Sequence, residues 1–162
     1  VEGCRIVTNI DEKKPTIYID ADACPVKKEI VDTASSKQWQ AIFVASYAHH
    51  MQQPDEETWV YVDPDRESAD LYILNHVKRS DVVITQDIGL ASLLLPKGVY
   101  VISPWGTAYD ESTIATSLDI RYLAAKARRQ GIFGKGPAPF KKSDKERFRK
   151  NLLKFLSNIA GK

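Results

Sequence analysis

Five short runs of apolar and β-branched residues recur along the chain, and helical periodicities fill the gaps between them. The strand candidates are Thr16 to Asp20, Ala41 to Ala45, Trp59 to Val62, Val82 to Thr85 and Val99 to Ile102. Hydrophobicity in Ile42-Phe43-Val44 and Val82-Val83-Ile84 is continuous rather than alternating. Strands read that way when both of their faces are covered, as in a parallel sheet.

Between the strands the apolar spacing changes to that of helices. Val26, Ile30 and Ala34 recur every fourth residue behind Pro25, a residue suited to a first helical turn. Ala69, Tyr72, Ile73 and Val77 form a second stripe, with Ser68 as its candidate cap. A third helix is predicted from Asp87 to Leu95, stopped by Pro96 and Gly98. After the turn Ser103 to Gly106, two helices are predicted, Glu111 to Ser117 and Ile120 to Gln130, the second capped by Asp119. Gly131 to Pro139 is a loop by composition. A last helix from Asp144 carries Phe148, Leu152, Phe155 and Ile159 on one face.

Strands alternating with helices imply βαβ units and right-handed crossovers. The fold class is therefore α/β, with a mostly parallel sheet of about five strands and helices on both faces. Residues 1–15 are expected to be loose, 16–130 to form the α/β domain, and 131–162 to add a basic loop and helix packed on it. At 162 residues, 43% of them hydrophobic, one domain has enough apolar side chains for a core. No apolar run is long enough to span a membrane, and Val1 to Pro15 lacks the apolar stretch of a secretory signal. The chain starts at Val1 rather than Met, which points to a processed or appended leading segment. Two cysteines, Cys4 and Cys24, make no disulfide framework, and a reducing, cytoplasmic location is expected.

Charge divides the chain unevenly. Residues 1–120 hold 10 Lys and Arg against 19 Asp and Glu, whereas residues 121–162 hold 13 against 2. A basic end on an acidic body suggests an anionic partner, nucleic acid above all, although a solvated basic surface would read the same way. Arg121, Lys126, Arg128, Arg129, Lys135, Lys141, Lys142 and Lys145 carry that charge, with Phe133 and Phe140 interleaved as candidate base-stacking residues.

Candidate chemistry gathers where strands give way to helices. Asp20-Ala21-Asp22-Ala23-Cys24-Pro25 leaves the first strand with two carboxylates, and ligands in open α/β sheets bind outside the carboxyl ends of the strands. Crowding negative charge there is costly without a cation. Thr85-Gln86-Asp87 occupies the matching position after the fourth strand. Neighbouring strands lie about 4.8 Å apart, so acids at two such ends can share an ion. Asp70, early in its helix, is a further candidate, with Glu67 as a weaker substitute, and Asp81, at the opposite strand end, is structural. All-oxygen donors suit Mg²⁺ or Mn²⁺. His49, His50 and His76 have no zinc spacing. Cys24 reads as packing rather than as a nucleophile, because its acidic neighbours oppose thiolate formation.

The motifs Asp20 to Pro25, Ser68-Ala69-Asp70, Val83 to Asp87 with Leu90-Ala91, Gly106, and Gly136-Pro137 resemble those of the uncharacterised bacterial YaiI/YqxD family. That family is grouped with PIN-like nucleases. The resemblance runs from Ile17 to the final helix and implies a three-layer α/β/α, PIN-like fold. It matches Asp20, Asp70 and Asp87 to acidic metal-site stations and Thr85 to the hydroxyl that often precedes the last acid. Asp22 is the family's addition. The fourth acid that many such sites carry has no counterpart after Asp87.

The expected function is thus a Mg²⁺- or Mn²⁺-dependent nuclease, a ribonuclease before a deoxyribonuclease. Asp20, Asp22, Asp70 and Asp87 hold the metal in this reading, and Thr85 orients. Arg128, Arg129, Lys135, Lys141 and Lys142 contact nucleic acid. Two rivals stand beside it. One is a nucleic-acid-binding protein with a vestigial metal site. The other is a phosphatase of the haloacid-dehalogenase type, which also places D-x-D after a strand but wants Thr or Val at the position held by Cys24.

Overall fold

A computed structural model describes residues 15–46, 59–64, 68–131 and 139–160. Its strands are β1 (Thr16–Asp20), β2 (Gln40–Ser46), β3 (Trp59–Val62), β4 (Val82–Ile84) and β5 (Tyr100–Ile102). Its helices are α1 (Lys27–Lys37), α2 (Ser68–His76), α3 (Ile88–Leu94), α4 (Glu111–Arg129) and α5 (Lys142–Ala160). All four strand pairings are parallel, in the order β3-β2-β1-β4-β5.

Each face of the sheet is covered, so the continuous apolar runs have their physical reason. On one side Ile17, Ile19, Phe43, Val82 and Ile84 meet Ile30 and Ala34 of α1 and Phe148, Leu152 and Leu156 of α5. On the other, Tyr18, Val44, Val83 and Val101 meet Ile73 of α2, Leu90 and Leu94 of α3, and Ile114 of α4. The result is the three-layer α/β/α sandwich expected from the sequence. Phe148 is completely buried, so the basic C-terminal helix is part of the core and not an appendage.

β1 is the middle strand. The chain winds from β1 through β2 to β3 on one side, then returns to lay β4 and β5 on the other. This reversal opens a crevice at the carboxyl ends of β1 and β4, where such sheets bind ligands. The opposite edge is closed by Asp81, which accepts the Thr16 N–H at 3.0 Å and the Lys78 N–H at 2.8 Å. Asp81 is structural, as its position in the sequence implies.

Some boundaries depart from the sequence reading. Ala21–Ala23 forms a 3-10 turn, and α1 begins only at Lys27, behind Val26. The two helices expected over 111–130 are one, because Asp119 keeps to the exposed side and caps nothing across the 19 residues of α4. The true cap is Asp110, whose side chain accepts the Thr113 N–H at 2.7 Å. α5 starts two residues earlier than expected, because Asp144 in its first turn accepts the Lys141 N–H at 2.9 Å. Among the described residues no helix is long and apolar enough to cross a membrane.

Candidate functional site

Register brings the acids of distant segments together. Ile19 lies opposite Ile84 across the β1–β4 pairing, so the next residues outward, Asp20 and Thr85, meet at the rim. The Thr85 hydroxyl donates to Asp20 Oδ2 across 3.2 Å and itself accepts the Asp87 N–H at 3.0 Å. One buried side chain therefore ties the acid of β1 to the acid that opens α3. Asp87 Oδ1 in turn accepts the Leu90 N–H at 3.2 Å, capping α3. Its place at a helix start is thus both a capping position and a position at the crevice.

Asp22 is held from the other side. Asp20 pairs with Val44 in the β1–β2 register, and the 3-10 turn then swings Asp22 toward the end of β2. There its carboxylate accepts the Ser46 N–H at 3.0 Å and the Ser46 hydroxyl at 3.4 Å. Backbone donors of this kind fix the direction of the side chain.

Asp20 carries the cost of this crowding. Its carboxyl is pushed above the ordinary aspartate value, first by burial, then by the charges of Asp22 and Asp87, while the Thr85 hydroxyl bond pulls it back. Among the described residues no basic side chain is one of these influences. Tyr109, just before α4, feels the same field: burial and then the charge of Asp87 raise its phenol. Cys24 is buried, and its thiol is pushed up to about 11, chiefly by burial, so it is protonated at neutral pH and inert as a nucleophile.

Asp70 shares with Asp87 a groove of about 370 Å³ between α2 and α3, which Leu71, Leu74, Leu90 and Leu93 also line. Among the described residues, no group of three or more His, Cys, Asp or Glu side chains is arranged to hold a metal ion. The reason is local: Asp22 is turned to Ser46, and Asp87 to the first turn of α3.

The basic residues divide as well. Lys142 lines a cavity of about 550 Å³ with Lys28, Glu29, Phe140, Lys145, Glu146 and Arg149. It lies between α1 and α5, which the Arg149–Asp32 ion pair joins at 3.2 Å. Because α1 starts directly after the acidic turn, Lys28 lies in its first turn, toward the rim. Phe140 packs on Trp105 with ring centroids 4.5 Å apart, and Trp105 follows β5 on that same edge of the sheet. Lys141 is exposed just before α5, whereas Arg128 and Arg129 are exposed at the far end of α4. Lys135, Phe133, Gly136, Pro137, Glu67, His49, His50 and Cys4 lie outside the described residues.

Sequence reasoning missed Ser46, Tyr109, Trp105 and Lys28. Trp105 alone carried a local signal, an aromatic in a Pro-Gly turn beyond a strand.

Fold and rim together define an α/β protein with a carboxylate-lined crevice at the switch point of a parallel sheet. The chain belongs to the family described as "Uncharacterized BCR, YaiI/YqxD family", whose model matches residues 18–158. It is 51% identical to a UPF0178 protein of Bacillus velezensis, over 99% of this chain and 96% of that protein. A UPF0178 protein of Bacillus pumilus is 48% identical over 99% of this chain and 98% of its own length. One from Listeria welshimeri is 46% identical over 91% and 99%. No solved structure matches the chain.

Proposed function

We propose that the chain is a Mg²⁺- or Mn²⁺-dependent phosphodiester hydrolase acting on nucleic acid, RNA before DNA. The observation that carries this reading is the arrangement at the switch point, where the Thr85 hydroxyl ties the part-buried Asp20 carboxylate to Asp87 and places two acids of distant segments at one rim.

The donor set, carboxylates and a hydroxyl, suits a hard cation. The lack of a three-acid group among the described residues argues against a closed protein cage of the kind Ca²⁺ occupies. It is compatible with Mg²⁺, which keeps several waters and is commonly held by one or two carboxylates plus substrate phosphate. Asp20, Asp22, Asp70 and Asp87 are the carboxylates that would hold the ion, with Asp20 and Asp87 joined through Thr85. When bound, such an ion supplies an activated water and neutralises charge on the leaving oxygen.

The protein's own part is positional. Thr85 fixes the Asp20 carboxylate and the Asp87 backbone in one arrangement, and Ser46 fixes Asp22. Lys28, Lys142 and Lys145 would draw phosphates along the α1–α5 cavity, with the exposed Arg128, Arg129 and Lys141 as further contacts and Lys135 a contact on sequence grounds alone. The Trp105–Phe140 pair offers an aromatic surface beside it.

The test is cleavage of a labelled oligoribonucleotide and its DNA counterpart in Mn²⁺, with Asp20→Asn as the control. Turnover in wild type and none in Asp20→Asn supports the reading. A wild type that binds no Mn²⁺ by calorimetry and cuts neither polymer sinks it. A second reading, a nucleic-acid binder without turnover, is favoured by the absence of a three-acid group among the described residues. It predicts retained binding in Asp87→Asn and lost binding when Lys142 and Lys145 are reversed in charge.

A further inference from the structure

The second half of α4 is chemically out of place. Ile114 is buried against the sheet, yet Ile120 is 62% and Leu123 60% exposed. At 3.6 residues per turn, Thr116, Ile120, Leu123 and Ala127 line one stripe, spaced four, three and four. That stripe lies on the side of the helix turned away from Ile114, and its two large apolar residues are exposed, as are Leu118 and Tyr122 beside them. Spacing of this kind is the seam of a helix pair.

The shoulder of the stripe says what fits it. Asp119 and Lys126 flank it seven residues apart and fall on the same shoulder. From this we infer that α4 is a dimerisation helix, packing antiparallel against α4 of a second copy. In that arrangement Ile120 sits against Leu123 of the second copy, and Thr116 against Ala127, each layer repeated by the two-fold axis. Along the shoulder, Asp119 of each copy stands beside Lys126 of the other, giving two equivalent opposite-charge pairs. Parallel packing would bring no such pairs together, because Asp119 and Lys126 would then face the other shoulder, where Ala124 lies. A partner of one charge sign would meet one of the two residues unfavourably. The stripe is thus complementary to itself and to little else, as an isologous interface requires.

The seam is short, so the dimer is weak and concentration-dependent, at the small end of specific interfaces. It stands independently of the proposed hydrolysis, since none of these four residues belongs to the acidic rim.

Sedimentation equilibrium on the full chain, from about 1 to 100 µM, tests it. Wild type should shift from monomer to dimer across that range. Ile120→Glu, at an exposed position that leaves the fold intact, should remain monomeric, with the Tm that wild type shows at the dilute end of the range. Asp119→Lys and Lys126→Asp should each raise the dissociation constant about tenfold, and the double exchange should recover most of it. A monomer at every concentration overturns the inference, as does a dimer indifferent to Ile120→Glu. A monomer whose Tm falls on Ile120→Glu also overturns it, by assigning the stripe's cover to the chain itself.

Discussion

The Thr85 hydroxyl reaches Asp20 Oδ2 across 3.2 Å, joining residues that stand 65 positions apart in the chain. The same oxygen accepts the Asp87 N–H, so the geometry of the acidic rim depends on one buried threonine. Thr85→Val keeps the shape and removes both bonds. Metal-dependent turnover should fall about 10–100-fold, the scale on which groups that orient ligands act. Calorimetry should show weaker Mn²⁺ binding in the same variant, and unchanged affinity would assign Thr85 to folding alone.

Asp20 is expected to trade stability for function. Its folded-state carboxyl titrates above the ordinary aspartate value, so the native state holds a proton more tightly than the unfolded chain does. Stability therefore falls as pH rises from the ordinary value through the raised one, and stays lower above it. Asp20→Asn lacks that loss and should melt a few degrees higher at neutral pH, where about 1 kcal/mol corresponds to roughly 2–4 °C in a chain this size. Mn²⁺ should raise the Tm of wild type and leave the variant nearly unmoved. Thermal scans between about pH 3 and pH 8, with and without Mn²⁺, read both effects.

Asp110 behaves oppositely. Bonds from the Thr113 N–H and from the Ser112 hydroxyl hold its carboxyl down at about 2. The cap is fully present above the ordinary aspartate value and disappears as pH falls through about 2. Circular dichroism should show wild type more helical than Asp110→Ala at neutral pH. The two traces should converge as the solution is acidified through that window.

Phe148 anchors the basic helix to the sheet with no exposed surface. Phe148→Ala should cost about 3–5 kcal/mol, and a single cooperative denaturant transition should move as a whole. Separate transitions for helix and body would show that α5 folds on its own.

Lys142 and Lys145 should contribute to nucleic-acid affinity without choosing a sequence. Charge reversal at either should weaken binding uniformly and reduce the slope of log affinity against log salt by about 1 for each phosphate no longer neutralised. A salt slope that does not change would remove the α1–α5 cavity from the path of the nucleic acid.

The strands were legible because burial on both faces leaves an unbroken apolar run, and that signal is local. Asp20 and Asp87 were legible for a related reason: each is the first acid after such a run. The unbroken length of α4 was not, because Asp119 looks the same in sequence whether it caps a helix or merely sits on the outside of one. Ser46 and Tyr109 were hidden more deeply. What makes them part of the rim is the register of β2 beside β1 and the path of the chain after β5, and neither leaves a trace in nearby residues. The groove that Asp70 shares with Asp87 was hidden likewise, since it depends on how α2 packs beside α3.

Gly106 has a φ of +87°, and a side chain there would strike Asn151, whose amide donates to the Gly106 carbonyl at 3.2 Å. The bend that carries Trp105 is thus shaped by α5, an element made some 45 residues later. On the ribosome that bend must wait for the helix before the Gly106 carbonyl meets Asn151. A nascent chain therefore leaves this bend unfinished until nearly all of its length has been made.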